Sequence, residues 1–295
     1  MSARGGLAEA EILGSLAQHR VLSTPQVRAI HLPDHSPRTA QRMMARLAQR
    51  ELATFATVPG VPGAPRRLWY LTEAGALAAS EAGMVDRPPL LLSAEQVTGP
   101  LQAHTRAVND AGIAFLNAAR QRGDEFTPTS WRHEVGNPLN AGRGRARRSV
   151  ISDAVLTYVR LTPEEVVVEQ RFLELDRATL TIARLIDELS RYARLYRATD
   201  AAGEPIWSGR YPWFPPIVCV LAGEERPALE RRRETAVAML SRDRELQSTP
   251  EVSVRLCLAA DLAEAGPFEP IFIDYRDPER PTDWLVEQPE PGINE

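Results

Sequence analysis

The stretch VISDAVLTYVRLTPEEVVVEQRFLELDRATLTIARLIDELSRYARLY, residues 150–196, decides the fold of the second half of the chain. Ile151, Asp153, Val155 and Thr157 alternate with Ser152, Ala154, Leu156 and Tyr158, the period of a strand. Val166, Val167, Val168, Phe172 and Leu173 supply a second run of β-branched and aromatic residues. Leu161-Thr162-Pro163-Glu164 between them is a turn signal, so the runs are expected to close as a hairpin. Paired residue numbers then sum to about 327, which sets Asp153 opposite Glu174, with Asp176 on the same face. Like charges facing across a ladder repel, so three carboxylates together call for a cation. Magnesium is one candidate, since it takes one or two carboxylates and fills its shell with water and phosphate oxygens. A network of Arg171, Arg177 and Arg184 is the other.

Downstream of the hairpin, residues 180–197 form an amphipathic helix. Ile182, Leu185, Ile186, Leu189 and Tyr192 lie on one side, and Arg177, Arg184 and Arg191 make a stripe on another. Residues 215–221 are a continuous apolar run, as in a strand buried on both faces. A charged helix over 227–241, strands over 252–259 and 268–275, and a polar fraying tail over 277–295 complete the chain. Upstream, the run NPLNAGRGRARR carries Arg143, Arg145, Arg147 and Arg148 straight into the Asp153 strand. A basic loop beside an acid cluster suits a phosphate backbone. Before it comes a long helix over 93–120 containing His104 and Asn109, preceded by a proline-containing linker, 86–92. A mixed-sheet α/β domain over 93–276 is expected.

Residues 1–85 read differently. A helical period over 7–19 is followed by Ser23-Thr24-Pro25 and Ser36-Pro37, two cap-then-proline helix starts. Two strand-like runs, 52–58 and 66–71, flank a Pro/Gly tip, and Thr72 opens a further helix. Three helices and a two-stranded ribbon is the winged helix-turn-helix order, which lays its third helix in the DNA major groove. Ala40, Met43, Met44 and Leu47 form the inner stripe of that helix. Arg38, Thr39, Gln41, Arg42 and Arg46 form the edge offered to DNA, and Arg66 and Arg67 at the base of the wing would meet phosphate. A solvated helix face, or a winged helix used to bind protein, accounts for the same residues.

Charge is distributed in keeping with this division. The net charge is −4, yet residues 1–90 balance to +3 and the remainder to −7. Every one of the 35 basic residues is arginine. Cys219 and Cys257 sit in apolar runs without metal-ligand spacing, as small buried hydrophobes of a reducing compartment. The sequence shows no signal peptide and no apolar run long enough to span a bilayer, so a cytoplasmic location is expected.

The succession of a winged-helix start, His104 with Asn109-Asp110, Ser152-Asp153-Ala154-Val155-Leu156 and Phe172-Leu173-Glu174-Leu175-Asp176-Arg177-Ala178-Thr179 resembles the replication-relaxation family. That family is one of actinobacterial plasmids and integrating mobile elements. The resemblance implies double-stranded DNA as partner, a role in replication, DNA relaxation or conjugal mobilisation, and relaxase or replication proteins as neighbours. The second domain is also similar to the PD-(D/E)XK nuclease core, in which an acid on one strand and acid-x-Lys on the next hold magnesium. On that likeness Asp153 and Glu174 are the metal ligands and Asp153, Glu174 and Asp176 the catalytic set. The chain departs from the pattern where Ser152 replaces proline and Asp176 replaces lysine. An aspartate cannot stabilise developing negative charge as lysine does, and arginine, always protonated, cannot serve as a base. Three readings follow: DNA recognition without catalysis and without a cofactor, a magnesium-dependent endonuclease or nickase, and a repressor of the element's own genes. Helix-turn-helix proteins often pair on palindromic sites, so a dimer is compatible with the first and third.

Overall fold

The computed structural model describes residues 3–59, 66–85, 88–140 and 148–285. Contacts divide the chain into unit 1, Met1–Arg120 with Phe126–His133, and unit 2, Gln121–Glu125 with Glu134–Glu295. Among the described residues no helix is long and apolar enough to cross a membrane.

Unit 1 begins with α1 (Ala3–His19), β1 (Leu22–Ser23), α2 (Thr24–His31) and α3 (Pro37–Gln49). The strands β2 (Ala53–Val58) and β3 (Arg66–Leu71) follow, then α4 (Glu73–Glu81), α5 (Ala94–Thr98) and α6 (Pro100–Arg122). The expected helix starts form. Ser23 caps α2 in a reciprocal box with Gln26, and Thr72 caps α4 by accepting the Gly75 N–H at 3.0 Å. β1, β3 and β2 make a small antiparallel sheet in that order. Gly75 is dictated by close approach, because a Cβ there would lie 1.7 Å from the Leu52 carbonyl oxygen.

The helix expected over 93–120 is two helices. Gly99 is extended (ψ 165°) and Pro100 restarts the helix, so α5 ends where the backbone must turn. The domain boundary also differs from expectation, since α5 and α6 belong to unit 1. The reason is polar. The Asn109 side chain, fully buried, donates to the Val21 carbonyl at 3.1 Å. Gln26 donates to Asp110 at 2.8 Å and to the Arg106 carbonyl at 2.9 Å. Arg120 caps the end of α2 through the Ala29 and Ile30 carbonyls. Asn109 Oδ1 also accepts from Trp131 at 3.3 Å and lies 2.9 Å from His133 Nε2, which in turn sits 3.2 Å from His19 Nδ1. Burial and His133 hold the His19 imidazole well below its ordinary pKa, and burial beside Arg120 brings His31 down to about 4.

Unit 2 is a mixed sheet flanked by helices, so the α/β class read from the sequence holds. Its elements are β4 (Trp131–Pro138), β5 (Ser149–Leu161), β6 (Val166–Asp176), α7 (Ile182–Arg197), β7 (Ile217–Leu221), α8 (Arg226–Leu240), α9 (Arg244–Gln247), β8 (Val254–Leu258), α10 (Ala259–Glu264), β9 (Phe272–Asp274) and β10 (Asp277–Thr282). Among the described residues they align in one sheet of order β10-β9-β8-β7-β6-β5-β4. β5 and β6 pair antiparallel with Ala154 opposite Leu173, the register expected from the turn. Thr162 closes their turn by exchanging hydrogen bonds with Glu165. β6, β7 and β8 run parallel, as connections through α7 and α8 require.

One face of this sheet packs on α7 and α8. Phe172 is its hub, with Tyr192, Tyr211 and Phe214 ring centroids at 4.9, 5.3 and 5.6 Å. Each such buried ring contributes about 1.5–3 kcal/mol. Both cysteines are free and buried as expected, Cys219 within this core. The opposite face corrects the expectation of a fraying tail: 277–282 is β10, and Trp284 is fully buried against Tyr158 at 5.2 Å.

Candidate functional site

Each unit contains one candidate site. In unit 1, proline at the first turn of α3 and the inward stripe Ala40, Met44 and Leu47 fix which side of the helix faces out; Met43 is half-buried. Arg38, Gln41 and Arg42 are exposed on that outer side. Among the described residues neither Arg38 nor Arg42 has an ion-pair partner. Thr39 is half-buried, and its hydroxyl lies 3.1 Å from that of Ser36 at the helix start. Arg46 is exposed but lies 3.6 Å from buried Glu9 of α1, an acid that Arg50 also binds.

The two arginines of the β2–β3 ribbon separate. Arg67 pairs in register with Thr57, and Arg66 with Val58, so their side chains lie on opposite faces of the ribbon. Arg67 is exposed and its guanidinium lies over the Phe55 ring, 4.6 Å from the centroid. Arg66 is half-buried and close enough to Asp110 of α6 to stabilise its carboxylate.

In unit 2 the predicted acids do meet. Asp153 of β5 accepts the Leu175 N–H at 2.8 Å, which fixes its carboxylate across the ladder from Glu174. Glu174 Oε1 accepts a hydrogen bond from the Tyr192 hydroxyl of α7. Burial, and after it the Asp153 carboxylate, push Glu174 well above the usual carboxylate range, while the Tyr192 hydrogen bond pulls it down. Glu188 of α7 is raised too, first by burial, with Asp153 and Asp176 adding repulsion against the pull of Arg191 and Arg184.

Asp176 is differently placed. Its carboxylate accepts from Nε and Nη2 of Arg232 from α8 and from the Ala178 N–H at 3.0 Å. The arginines expected to neutralise the acids do not include Arg171, which sits on the opposite sheet face. There it is fully buried, bonds Glu169 at 2.9 Å and lies over the Trp284 ring at 4.9 Å. The residue that performs the role, Arg232, stands 56 positions away from Asp176 and has no local sequence signal. Glu188 does have one, four residues before Tyr192 on the same helix face. Among the described residues no group of three or more His, Cys, Asp or Glu side chains is arranged to hold a metal ion. Asp153 and Glu174 are nevertheless a donor pair of the kind magnesium takes, with the rest of its shell left to water and phosphate. Arg143, Arg145 and Arg147 lie outside the described residues. Arg148 is exposed, and its backbone closes the base of that loop through Asn140 and Leu139.

A search of curated proteins found no match. A family model described as replication-relaxation matches residues 13–204, which takes in the α3 edge, the β2–β3 ribbon and the Asp153–Glu174 pair. The chain therefore belongs to the replication-relaxation family.

Proposed function

We propose that this chain is a double-stranded DNA-binding protein that serves replication or mobilisation of a plasmid or integrating element, and that unit 1 recognises DNA as a winged helix. The observation that carries the reading is the outer edge of α3. Arg38, Gln41 and Arg42 stand exposed in one row, and among the described residues neither arginine has an acid to neutralise it. An unneutralised row of guanidinium and amide donors on a helix flanked by a ribbon has the chemistry of major-groove readout. Arginine and glutamine are the side chains that pair bidentately with guanine and adenine. Arg46, held near Glu9, supports α3 more than it reads bases.

The test is a binding-site selection followed by titration of the selected duplex. Arg38→Ala and Arg42→Ala are each expected to cost about 1–3 kcal/mol of binding to the selected site and to relax its sequence preference. Equal affinity of the wild type for selected and random duplex would end the claim of sequence recognition.

The Asp153–Glu174 pair favours a second reading, a magnesium-dependent nickase in unit 2. Bound there, the ion would activate water for attack on phosphate. The chain's own contribution would be to hold the two ligands, Asp153 through the Leu175 N–H and Glu174 through Tyr192. Recognition ranks first because the position that carries lysine in the similar nucleases is here Asp176, occupied by Arg232. Nicking of supercoiled plasmid that needs magnesium and disappears in both Asp153→Ala and Glu174→Ala would reverse that order.

A further inference from the structure

Phe55 sits on the exposed ribbon of unit 1 with 38% of its surface in solvent. A strand position this open gains little from a large aromatic ring, and threonine or valine would serve the backbone as well. Its surroundings supply a reason. Trp69, opposite Phe55 in the ladder and 1% exposed, packs on it with centroids 4.9 Å apart. The Trp69 indole is itself pinned by a 2.9 Å hydrogen bond to the hydroxyl of Thr24, the first residue of α2. The guanidinium of Arg67 lies over the same ring, 4.6 Å from its centroid. Thr24, Trp69, Phe55 and Arg67 thus form one ladder, fixed at the helix end and open to solvent at the arginine end.

We propose that Phe55 is a positioning residue for duplex DNA: its ring holds the Arg67 guanidinium on the α2 side of the ribbon, where it clamps a backbone phosphate. The inference rests on the DNA-binding reading above and adds a residue and a role to it. A guanidinium over a ring spends its π face on the aromatic and keeps its in-plane N–H groups free, and those are the donors a phosphate takes. Without the ring, Arg67 must be ordered from many rotamers at the moment of binding. Arg66, on the other face of the ribbon, has no part in the ladder.

The experiment is fluorescence anisotropy on the full chain with a labelled selected duplex, across 50 to 200 mM salt, using Phe55→Leu, Phe55→Tyr, Arg67→Ala and the Phe55→Leu/Arg67→Ala double variant. Phe55→Leu is expected to weaken binding about two- to five-fold, the worth of an exposed cation–π contact, while Phe55→Tyr binds as wild type. Arg67→Ala is expected to lower the salt slope by about 0.9, one phosphate contact. In the Arg67→Ala background Phe55→Leu should then have no further effect. Phe55→Ile, a β-branched strand former, replaces Phe55→Leu if thermal melting shows that the leucine variant unfolds. An equal loss from the Phe55 substitution in both backgrounds would overturn the inference, because the ring would then act by itself or through the fold. An unchanged salt slope in Arg67→Ala would overturn it as well. Binding that is indifferent to Arg38→Ala and Arg42→Ala, or absent in wild type, would sink the DNA reading itself and this inference with it.

Discussion

The two units use the same basic residue in opposite ways. Unit 1 turns Arg38, Arg42 and Arg67 to solvent, and burial there holds the His19 and His31 imidazoles neutral. Unit 2 takes arginine inside: Arg171 is fully buried, and Arg232 reaches Asp176 through Nε and Nη2. A guanidinium does not lose its proton to escape burial, so each one drawn inside needs a permanent acid. Glu169 serves Arg171, and Asp176 serves Arg232. Other acids of unit 2 face each other, as Asp153 and Glu174 do. Glu174 faces Asp153, and its carboxylate is held by the Tyr192 hydroxyl. Glu169 and Asp176 are held by an arginine, whereas Glu174 is held by a tyrosine hydroxyl.

The sharpest way to break this contrast is Arg171→Ala. It takes the buried arginine partner from buried Glu169, so unit 2 should lose about 3–5 kcal/mol, as expected when one partner of a buried pair is removed. Arg42→Ala in unit 1 should change stability by less than about 0.5 kcal/mol, the usual range for an exposed side chain. Urea unfolding of both variants checks the pair. An equal loss would mean that the exposed arginines of α3 are structural too.

Buried neutral groups give the units opposite responses to pH. In unit 1 the folded-state pKa of His31 is lowered to about 4, so the unfolded chain takes up the proton first as pH falls. Stability is complete above about 6.5, the unfolded imidazole value, and is lost toward pH 4, by on the order of 3 kcal/mol. His19 adds to the loss in the same direction. In unit 2 Glu174 is raised, so its contribution is complete below about 4.3 and falls as pH rises, when the unfolded carboxyl ionises first. Hydrogen exchange in EDTA-containing buffer, read separately over α1–α4 and β5–β8, should show unit 1 weakening between pH 6.5 and 4. Glu174→Gln should make unit 2 more stable at pH 7 than wild type and no different near pH 4. A Glu174→Gln variant that loses stability at pH 7 would show that the carboxyl is held ionised.

Local patterns carried most of the fold. The hairpin register followed from one turn signal and the period of two, because a shift of one residue would have turned Phe172 and Val155 out of the core. The same period sends Arg171 to the face opposite Glu174, three residues on, so alternation alone excludes it from the acid cluster. Arg232 was not legible, since its meeting with Asp176 depends on how α8 packs on the sheet. The allegiance of α6 to unit 1 was hidden for a similar reason. It is decided by Asn109 and Gln26 bonding across about 80 to 90 residues of chain, and apolar periodicity says nothing about which partner a polar residue will find. Trp284 in a polar tail gave a weak signal: a large ring among charged residues buries itself if any apolar surface is within reach.

The smallest expected effect separates the two neighbouring arginines of the ribbon. Both were candidates for phosphate contact, yet alternation sends Arg67 to the Phe55 side and Arg66 toward Asp110. If DNA meets the ribbon on the α2 side, Arg66→Ala should weaken binding by less than about twofold, the range of a distant surface change. Its salt slope should match wild type, because no counterion is released at a position that touches no phosphate. Titrations of Arg66→Ala and Arg67→Ala at two salt concentrations decide this. A slope reduced equally in both variants would mean that phosphates line both faces of the ribbon. The ribbon would then enter a groove edge-on rather than lie along one strand, and the ladder from Thr24 to Arg67 would mark only one of its two contacts.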